Sequence, residues 1–213
     1  MISHKHKCIF LHIPRTAGTS IEVWLTGRDW HQSEPGAKHL LASQAKELYR
    51  DYWDDYFKFS FVRHPVTRVL SSLKYAEEFG LKREGHDINF ANYHKLFGSD
   101  VVVEYDHRYQ LFPPVQNAKH KTHTIYQNML DEPLDFIGRY EDLGAHTKLI
   151  QAHLNVSMPF EHYYEATTSK PPEYYNLSDE TLKHIRGMYA RDYTRFGYYR
   201  QEYETDGRCY AGL

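Results

Sequence analysis

The feature that most constrains this fold is an apolar strand that turns directly into a helix near the start of the chain. Cys8 to Ile13 is an almost continuous apolar run, as expected for a strand covered on both faces. Pro14 ends the run and Gly18 follows in the turn. Apolar residues then recur at helical spacing, at Ile21, Trp24 and Leu25. The spacing predicts a short helix over about residues 19–27.

The same order of strand and helix recurs along the chain. Phe57 to Val62 alternates apolar with polar residues as a strand does, and Pro65 stands where the first turn of a helix tolerates a missing N–H. Asp135 to Tyr140 is a third candidate strand, again followed by helical spacing. A last helix is predicted from Ser178, a good N-cap, to Phe196. This alternation predicts an α/β fold with a mainly parallel sheet flanked by helices.

Composition favours a single soluble domain without a nucleic-acid partner. The 213 residues carry 26 Lys and Arg against 28 Asp and Glu, whereas a general nucleic-acid binder needs a basic excess. No stretch has the roughly 18 uninterrupted apolar residues of a membrane helix. Two cysteines are too few for a disulfide scaffold. We expect one cytoplasmic domain over residues 1–213, with residues 84–128 as an insertion on the ligand side of the sheet.

The turn between the first strand and its helix combines the features of an anion-binding site. Pro14 to Ser20 places successive backbone N–H groups and a positive helix end at the edge of the sheet. Arg15 adds a cation, and Gly18 lets the backbone approach a ligand without a Cβ in the way. Three hydroxyl donors lie in the turn: Thr16, Thr19 and Ser20. A triphosphate P-loop needs an earlier Gly and a Lys after Gly18, and both are missing, which favours a less charged anion that needs no metal.

A second anion site is predicted where the second strand gives way to its helix. Arg63 stands at the end of that strand and Ser71 lies eight residues further on. At about 100° per residue, Ser71 lies beside Thr67 on the flank of the apolar arc, from where it points along the sheet edge. A phosphate held by Arg63 could therefore accept a hydrogen bond from the Ser71 hydroxyl. The alternative is that Arg63 pairs with a carboxylate and Ser71 only packs.

The two segments together resemble the nucleotide-binding motifs of sulfotransferases that use 3′-phosphoadenosine-5′-phosphosulfate (PAPS). Residues 10–20 are similar to the 5′-phosphosulfate loop, and residues 63–71 to the 3′-phosphate motif, most of all in the carbohydrate branch with heparan sulfate 2-O-sulfotransferase-like enzymes. The resemblance implies a P-loop-like three-layer fold, PAPS as donor, the desulfated nucleotide PAP as product, and no metal. The implied cofactor-binding residues are Arg15, Thr16, Ala17, Gly18, Thr19, Ser20, Arg63, Ser71 and, in a loop that relatives close over the nucleotide, Lys170.

Sulfuryl transfer to a hydroxyl needs a base for the acceptor proton and positive charge at the leaving oxygen. Arg15 and the loop N–H groups meet the second need. For the base we select His39, which lies between the two phosphate motifs and resembles the position of the catalytic His in heparan-type relatives. Its unperturbed pKa near neutrality suits the role. A surface or helix-capping role for His39 stays open, Lys38 could contact the sulfate, and His12 is expected to pack.

Two other functions remain open: a nucleotide kinase of the P-loop type, and a non-catalytic nucleotide-binding module of the same fold. The missing Gly-Lys-Ser/Thr argues against the kinase. The loop cation and the histidine before the second strand argue against the module. Pairs of histidines, at His4 and His6 and at His120 and His123, lack the further ligands that a metal needs. The expected acceptor is a glycan or a small molecule, and the sequence does not indicate an oligomeric state.

Overall fold

The computed structural model describes residues 1–78, 82–83, 86–87, 129–163 and 177–198. These residues belong to two compact units. The first unit holds residues 1–63 and 129–163, and the second holds residues 64–78, 82–83, 86–87 and 177–198. Lys170 and most of the predicted insertion at 84–128 lie outside the described residues. One domain over residues 1–213 stays a prediction.

The described residues form short strands and helices in alternation. The strands are β1 (Ile2–Ser3), β2 (Cys8–Leu11), β3 (Phe57–Val62), β4 (Lys82–Arg83), β5 (His86–Asp87) and β6 (Phe136–Arg139). The helices are α1 (Gly18–Thr26), α2 (Trp30–Ser33), α3 (Ala42–Leu48), α4 (Arg50–Trp53), α5 (Pro65–Glu78), α6 (Leu143–Leu154), α7 (Asp179–Met188) and α8 (Ala190–Phe196). Short 3₁₀ helices cover Pro35–Ala37 and Tyr140–Asp142. The mixed α/β class is therefore confirmed.

Among the residues described in the first unit, four strands form one sheet in the order β1, β2, β3, β6. β2 pairs parallel to β3, β3 pairs parallel to β6, and β1 pairs antiparallel to β2. The prediction of a mainly parallel sheet is confirmed. Because the three parallel strands run the same way, the residues that follow them meet at one edge, which is where ligands bind in such sheets.

The first parallel strand ends earlier than the apolar run predicts. The predicted end at Ile13 is wrong, because β2 pairs with β3 only as far as Leu11 opposite Ser60. There the Ser60 hydroxyl donates to the Leu11 carbonyl at 2.7 Å. The apolar residue Ile13 stays fully buried in the connection instead of in the ladder.

Aromatic side chains fill the space between the sheet and its helices in the first unit. Phe10, Phe59 and Phe61 are fully buried from β2 and β3, and α1 and α6 contribute Ile21 and Ile150 to the same cluster. Burying each such ring contributes roughly 1.5–3 kcal/mol. This packing fixes α1, and with it the loop that precedes it, against the sheet.

Two of the predicted helices, α1 and α5, lie where the sequence predicts them. α1 is one residue from the prediction, and Gly27 ends it in the left-handed region at φ 77°. α5 begins at Pro65 as expected.

The single helix predicted over 178–196 is wrong, because Tyr189 leaves the helical region at φ −100°, ψ 16° and separates α7 from α8. The apolar stripe continues through this break, so its period alone does not reveal the break.

Two further features of the described residues concern membrane spans and the environment of His64. No helix among them combines the length and the hydropathy of a membrane span. In the second unit, His64 is buried and packs its ring edge-on against Tyr193 and Tyr198, at 5.4 and 5.3 Å between ring centroids. His64 therefore has a packing role within that unit.

Candidate active site

The loop between β2 and α1 has an unusual backbone. Arg15 and Ala17 adopt left-handed conformations, with φ of 65° and 63°, which residues other than Gly rarely adopt. Such residues cluster at ligand sites, and left-handed turns direct successive N–H groups to one side, where anions bind. The first helical bond runs from Ile21 N–H to the Ala17 carbonyl at 3.2 Å. The N–H groups at 18–20 therefore belong to the donor end of the helix.

The three loop hydroxyls are in different environments. Thr16 is fully buried and donates to the Ile13 carbonyl at 2.7 Å, so its side chain holds the turn. Ser20 is also buried and accepts from the Tyr163 N–H at 3.2 Å. Thr19 is half-buried and accepts from the ammonium of Lys38 at 3.2 Å. Thr19 is thus the loop hydroxyl best placed to meet a ligand.

Gly18 is required by its neighbour inside the protein. A Cβ built on Gly18 would lie 2.0 Å from Cδ2 and 2.1 Å from Nε2 of His12. The ring of His12 therefore occupies the space that any side chain at position 18 would need. Gly18 was predicted to let the backbone approach a ligand, and its contact with His12 is a second, structural reason for glycine at this position.

Arg63, the first residue of the second predicted anion motif, contacts the loop within the first unit. It follows β3 and is 6% exposed, and its Nη1 donates to the carbonyl of Arg15 at 3.3 Å. Its guanidinium carbon lies 4.0 Å from the ring centroid of Tyr140, the residue after β6. The residues that follow three neighbouring parallel strands therefore meet at one edge. Ser71 lies on α5 in the second unit, where it is buried.

His39 is fixed against the start of the loop. Its Nδ1 donates to the His12 carbonyl at 3.0 Å, and the two rings lie 4.3 Å apart between centroids. Because a carbonyl can only accept, Nδ1 carries the hydrogen and the neutral ring has its basic lone pair on Nε2. Burial, followed by the neighbouring His12, holds the pKa of His39 well below 6.5, although the bond to the His12 carbonyl opposes the shift. His39 is therefore in its basic form at neutral pH.

A buried carboxylate that the sequence analysis missed lies behind the loop. Glu22 has no exposed surface and accepts from Nδ1 of His12 at 2.7 Å and from the ammonium of Lys38 at 3.2 Å. Burial alone would raise the pKa of Glu22, but these donors and the Trp30 N–H lower it to about 2. The signal that could have revealed it is its place beside the apolar arc of α1, where a glutamate would otherwise be exposed.

Comparison with known proteins identifies the family. A model of the sulfotransferase family matches residues 1–199. The chain belongs to the sulfotransferase family. It is also 25% identical over 232 residues to carbohydrate sulfotransferase 14 of Danio rerio, a match that covers 93% of this chain and 61% of that relative. The chain thus spans about three-fifths of the length of this relative, and no solved structure matches it.

The sulfotransferase family membership confirms the resemblance inferred from residues 10–20 and 63–71. In this family member the loop, Arg63 and His39 lie together in the first unit. Lys170 lies outside the described residues, so its role stays a prediction, as does that of Ser71.

Neither a metal-binding cluster nor the Cys8 thiol offers another reactive centre among the described residues. Among the residues that the structure describes, no group of three or more His, Cys, Asp or Glu side chains could hold a metal ion. Burial raises the pKa of the Cys8 thiol to about 12, so this sulfur is not a nucleophile at neutral pH. His39 is the described histidine that combines a place beside the loop with a fixed basic tautomer.

Proposed function

We propose that this chain transfers a sulfuryl group from PAPS to a hydroxyl of a carbohydrate. The observation that carries the proposal is the hydrogen bond from Arg63 to the Arg15 carbonyl, which brings two arginines from the predicted anion motifs together at one sheet edge. His39 is bonded to the first residue of the same loop. The carbohydrate acceptor rests on the similarity to carbohydrate sulfotransferase 14.

The residues present fit a phosphosulfate donor. The left-handed loop and the helix N-terminus supply N–H donors for the 5′-phosphosulfate, together with the Thr19 hydroxyl and the Arg15 guanidinium. Arg63 is the proposed ligand of the 3′-phosphate. Family membership also favours PAPS, and the site requires no metal in this proposal. The contributions of Ser71 and Lys170, and a cytoplasmic location, stay predictions.

The proposed chemistry is an in-line displacement at sulfur. PAPS supplies the sulfuryl group: the acceptor oxygen forms a bond to sulfur while the bond between sulfur and the bridging oxygen breaks, and PAP leaves with that electron pair. Nε2 of His39 takes the proton from the acceptor hydroxyl. Arg15 and the loop N–H groups stabilise the negative charge that develops on the leaving oxygen.

The test is a transfer assay that follows labelled sulfate from PAPS to a panel of glycan acceptors. His39→Ala should lower kcat by about 100-fold or more while PAP binding survives, because a general base contributes at least that much. The matched control is His31→Ala, which removes an exposed imidazole from α2. Full activity of His39→Ala would show that the base is another group. Failure of the unchanged chain to sulfate any acceptor would overturn the proposed function.

A further inference from the structure

Glu22 lies at the centre of a buried network of hydrogen bonds and ion pairs behind the proposed transfer site. Its carboxylate accepts from Nδ1 of His12 at 2.7 Å, from Nζ of Lys38 at 3.2 Å and from the Trp30 N–H at 3.1 Å. The three donors come from the end of β2, the turn after the Pro35–Ala37 helix, and the start of α2. One side chain thus fixes three separate segments around the first turn of α1.

The first arm of the network leads through His12 to the proposed base. The bond to Glu22 fixes the orientation of the His12 ring, which lies against His39 and fills the space beside Gly18. The carbonyl of the same residue accepts the Nδ1–H of His39 at 3.0 Å. A shift of His12 would therefore disturb both the packing and the tautomer of His39.

The second arm leads through Lys38 to the loop. Its ammonium is held by Glu22 and Asp29 and donates to the Thr19 hydroxyl at 3.2 Å. A hydroxyl that accepts from an ammonium directs its own hydrogen away from it, and such consecutive hydrogen bonds strengthen one another. Thr19 is thereby prepared as a donor to an anion. Lys38 also precedes His39 in the chain, so the same contacts fix the turn that carries the base.

We propose that Glu22 is a positioning residue for sulfuryl transfer. It acts through His12 on the proposed base, His39. It acts through Lys38 on the loop hydroxyl of Thr19. The inference rests on the proposed function and adds a residue that contacts neither the donor nor the acceptor. A buried ion cluster with a purely structural role would affect stability but not the state of His39 or the catalytic step.

The first test does not depend on turnover. Two-bond ¹H–¹⁵N couplings of the imidazoles report the tautomer of His39 in the full chain, with the signal assigned by its loss in His39→Gln. We expect the Nδ1–H tautomer in the unchanged chain and a mixture of tautomers in Glu22→Gln. The matched control is Glu34→Gln, the same change at an exposed glutamate, which should leave the signal unchanged. An identical His39 signal in Glu22→Gln and the unchanged chain would overturn the proposal.

The second test separates catalysis from nucleotide binding. In Glu22→Gln we expect kcat to fall by about 10-fold or more, because a displaced base loses its attack geometry, while the Kd for PAP rises by a clearly smaller factor, because Thr19 is one of several donors to the nucleotide. Lys38→Met removes only the second arm, so it should raise the KM for PAPS more than it lowers kcat. A loss of PAP affinity by the same factor as kcat in Glu22→Gln would show a structural role and overturn the inference.

Two further outcomes of these experiments also bear on the positioning role of Glu22. If the unchanged chain sulfates no acceptor, the proposed function fails, and the imidazole couplings alone decide the role of Glu22. If Glu22→Gln does not fold, Glu22→Asp replaces it in both measurements. The shorter carboxylate keeps the charge but cannot span the distances to His12 and Lys38 together, so we expect the same changes to a smaller extent. A Glu22→Asp chain that matches the unchanged one in both measurements would overturn the proposal.

Discussion

At the scale of single residues, Gly18 shows how closely the loop and the histidines behind it depend on each other. The ring that would collide with a side chain at this position belongs to His12. Moving this ring would break the hydrogen bond between its Nδ1 and Glu22. The requirement for glycine thus comes from a hydrogen bond to a residue four positions further along α1. The loop sequence and the buried network therefore constrain each other.

We predict that Gly18→Ala lowers the free energy of unfolding by about 1–3 kcal/mol, since it overpacks a filled site. The displaced His12 should also impair transfer. Gly36→Ala is the control, because a Cβ there has no atom within 4 Å. Chemical denaturation of both variants measures the difference. Equal stability of Gly18→Ala and Gly36→Ala would contradict the packing described here.

Protonation should weaken the fold in two stages as the pH falls. The pKa values of His12 and His39 lie below 6.5 in the folded state, mainly because of burial, so the unfolded chain binds more protons below pH 6.5 and stability is lost there. The pKa of Glu22 falls from 4.5 to about 2, so its contribution is present above pH 4.5 and is lost as the pH falls from there to about 2.

Urea denaturation between pH 8 and pH 3 tests this prediction. The free energy of unfolding should decline with falling pH in both ranges. His39→Gln should make the decline below pH 6.5 shallower and leave the lower range in place. His31→Gln, at an exposed position, serves as the control. Stability that rises as the pH falls from 7 to 5 would contradict the buried neutral histidines.

At the scale of elements, the pairing of β3 with β6 depends on a glycine under an aromatic ring. Gly138 lies opposite Phe61, and a Cβ there would lie 2.5 Å from Cε1 of that ring. Gly138→Ala should therefore cost about 1–3 kcal/mol of stability. The control is Gly144→Ala, in the first turn of α6, where a Cβ has open space. That change should stabilise the chain by about 0.5–1 kcal/mol, because alanine restricts the unfolded chain.

Thermal or chemical denaturation of the two alanine variants provides the measurement. The free energy of unfolding should fall in Gly138→Ala and rise in Gly144→Ala, although the chemical change is the same. Stabilisation of both variants would show that the ring of Phe61 can move aside at no cost.

Strands and helices were predictable from the sequence where the spacing of apolar residues repeats over enough residues. β3 and the starts of α5 and α6 follow from alternation, from Pro65 and from helical spacing. α2, α3 and α4 were not predicted, because helices of four to seven residues show too few turns for a period to appear. These short helices matter, since they position Asp29 and the turn of Lys38 and His39.

At the scale of the whole molecule, the candidate site depends on contacts between distant parts of the sequence. The alternation of strands and helices predicted that β2, β3 and β6 run parallel. It therefore also predicted that the loop and Arg63 lie at the same edge of the sheet. The bond between His39 and His12 joins residues 27 positions apart, and that between Lys38 and Thr19 joins residues 19 apart. No local pattern encodes such pairs, so the contacts that Glu22 makes emerge only from the three-dimensional structure.

The most direct test of the central claim is a calorimetric titration of the chain with PAP at low ionic strength. We predict saturable binding at one site, and an affinity about 10-fold or more weaker in Arg63→Ala, because a charge-assisted contact to phosphate is lost. Arg28→Ala, which removes an exposed arginine after α1, should bind as the unchanged chain does. No heat with either PAP or PAPS, or equal affinity in Arg63→Ala, would contradict the claim that the two strand-end motifs bind one nucleotide.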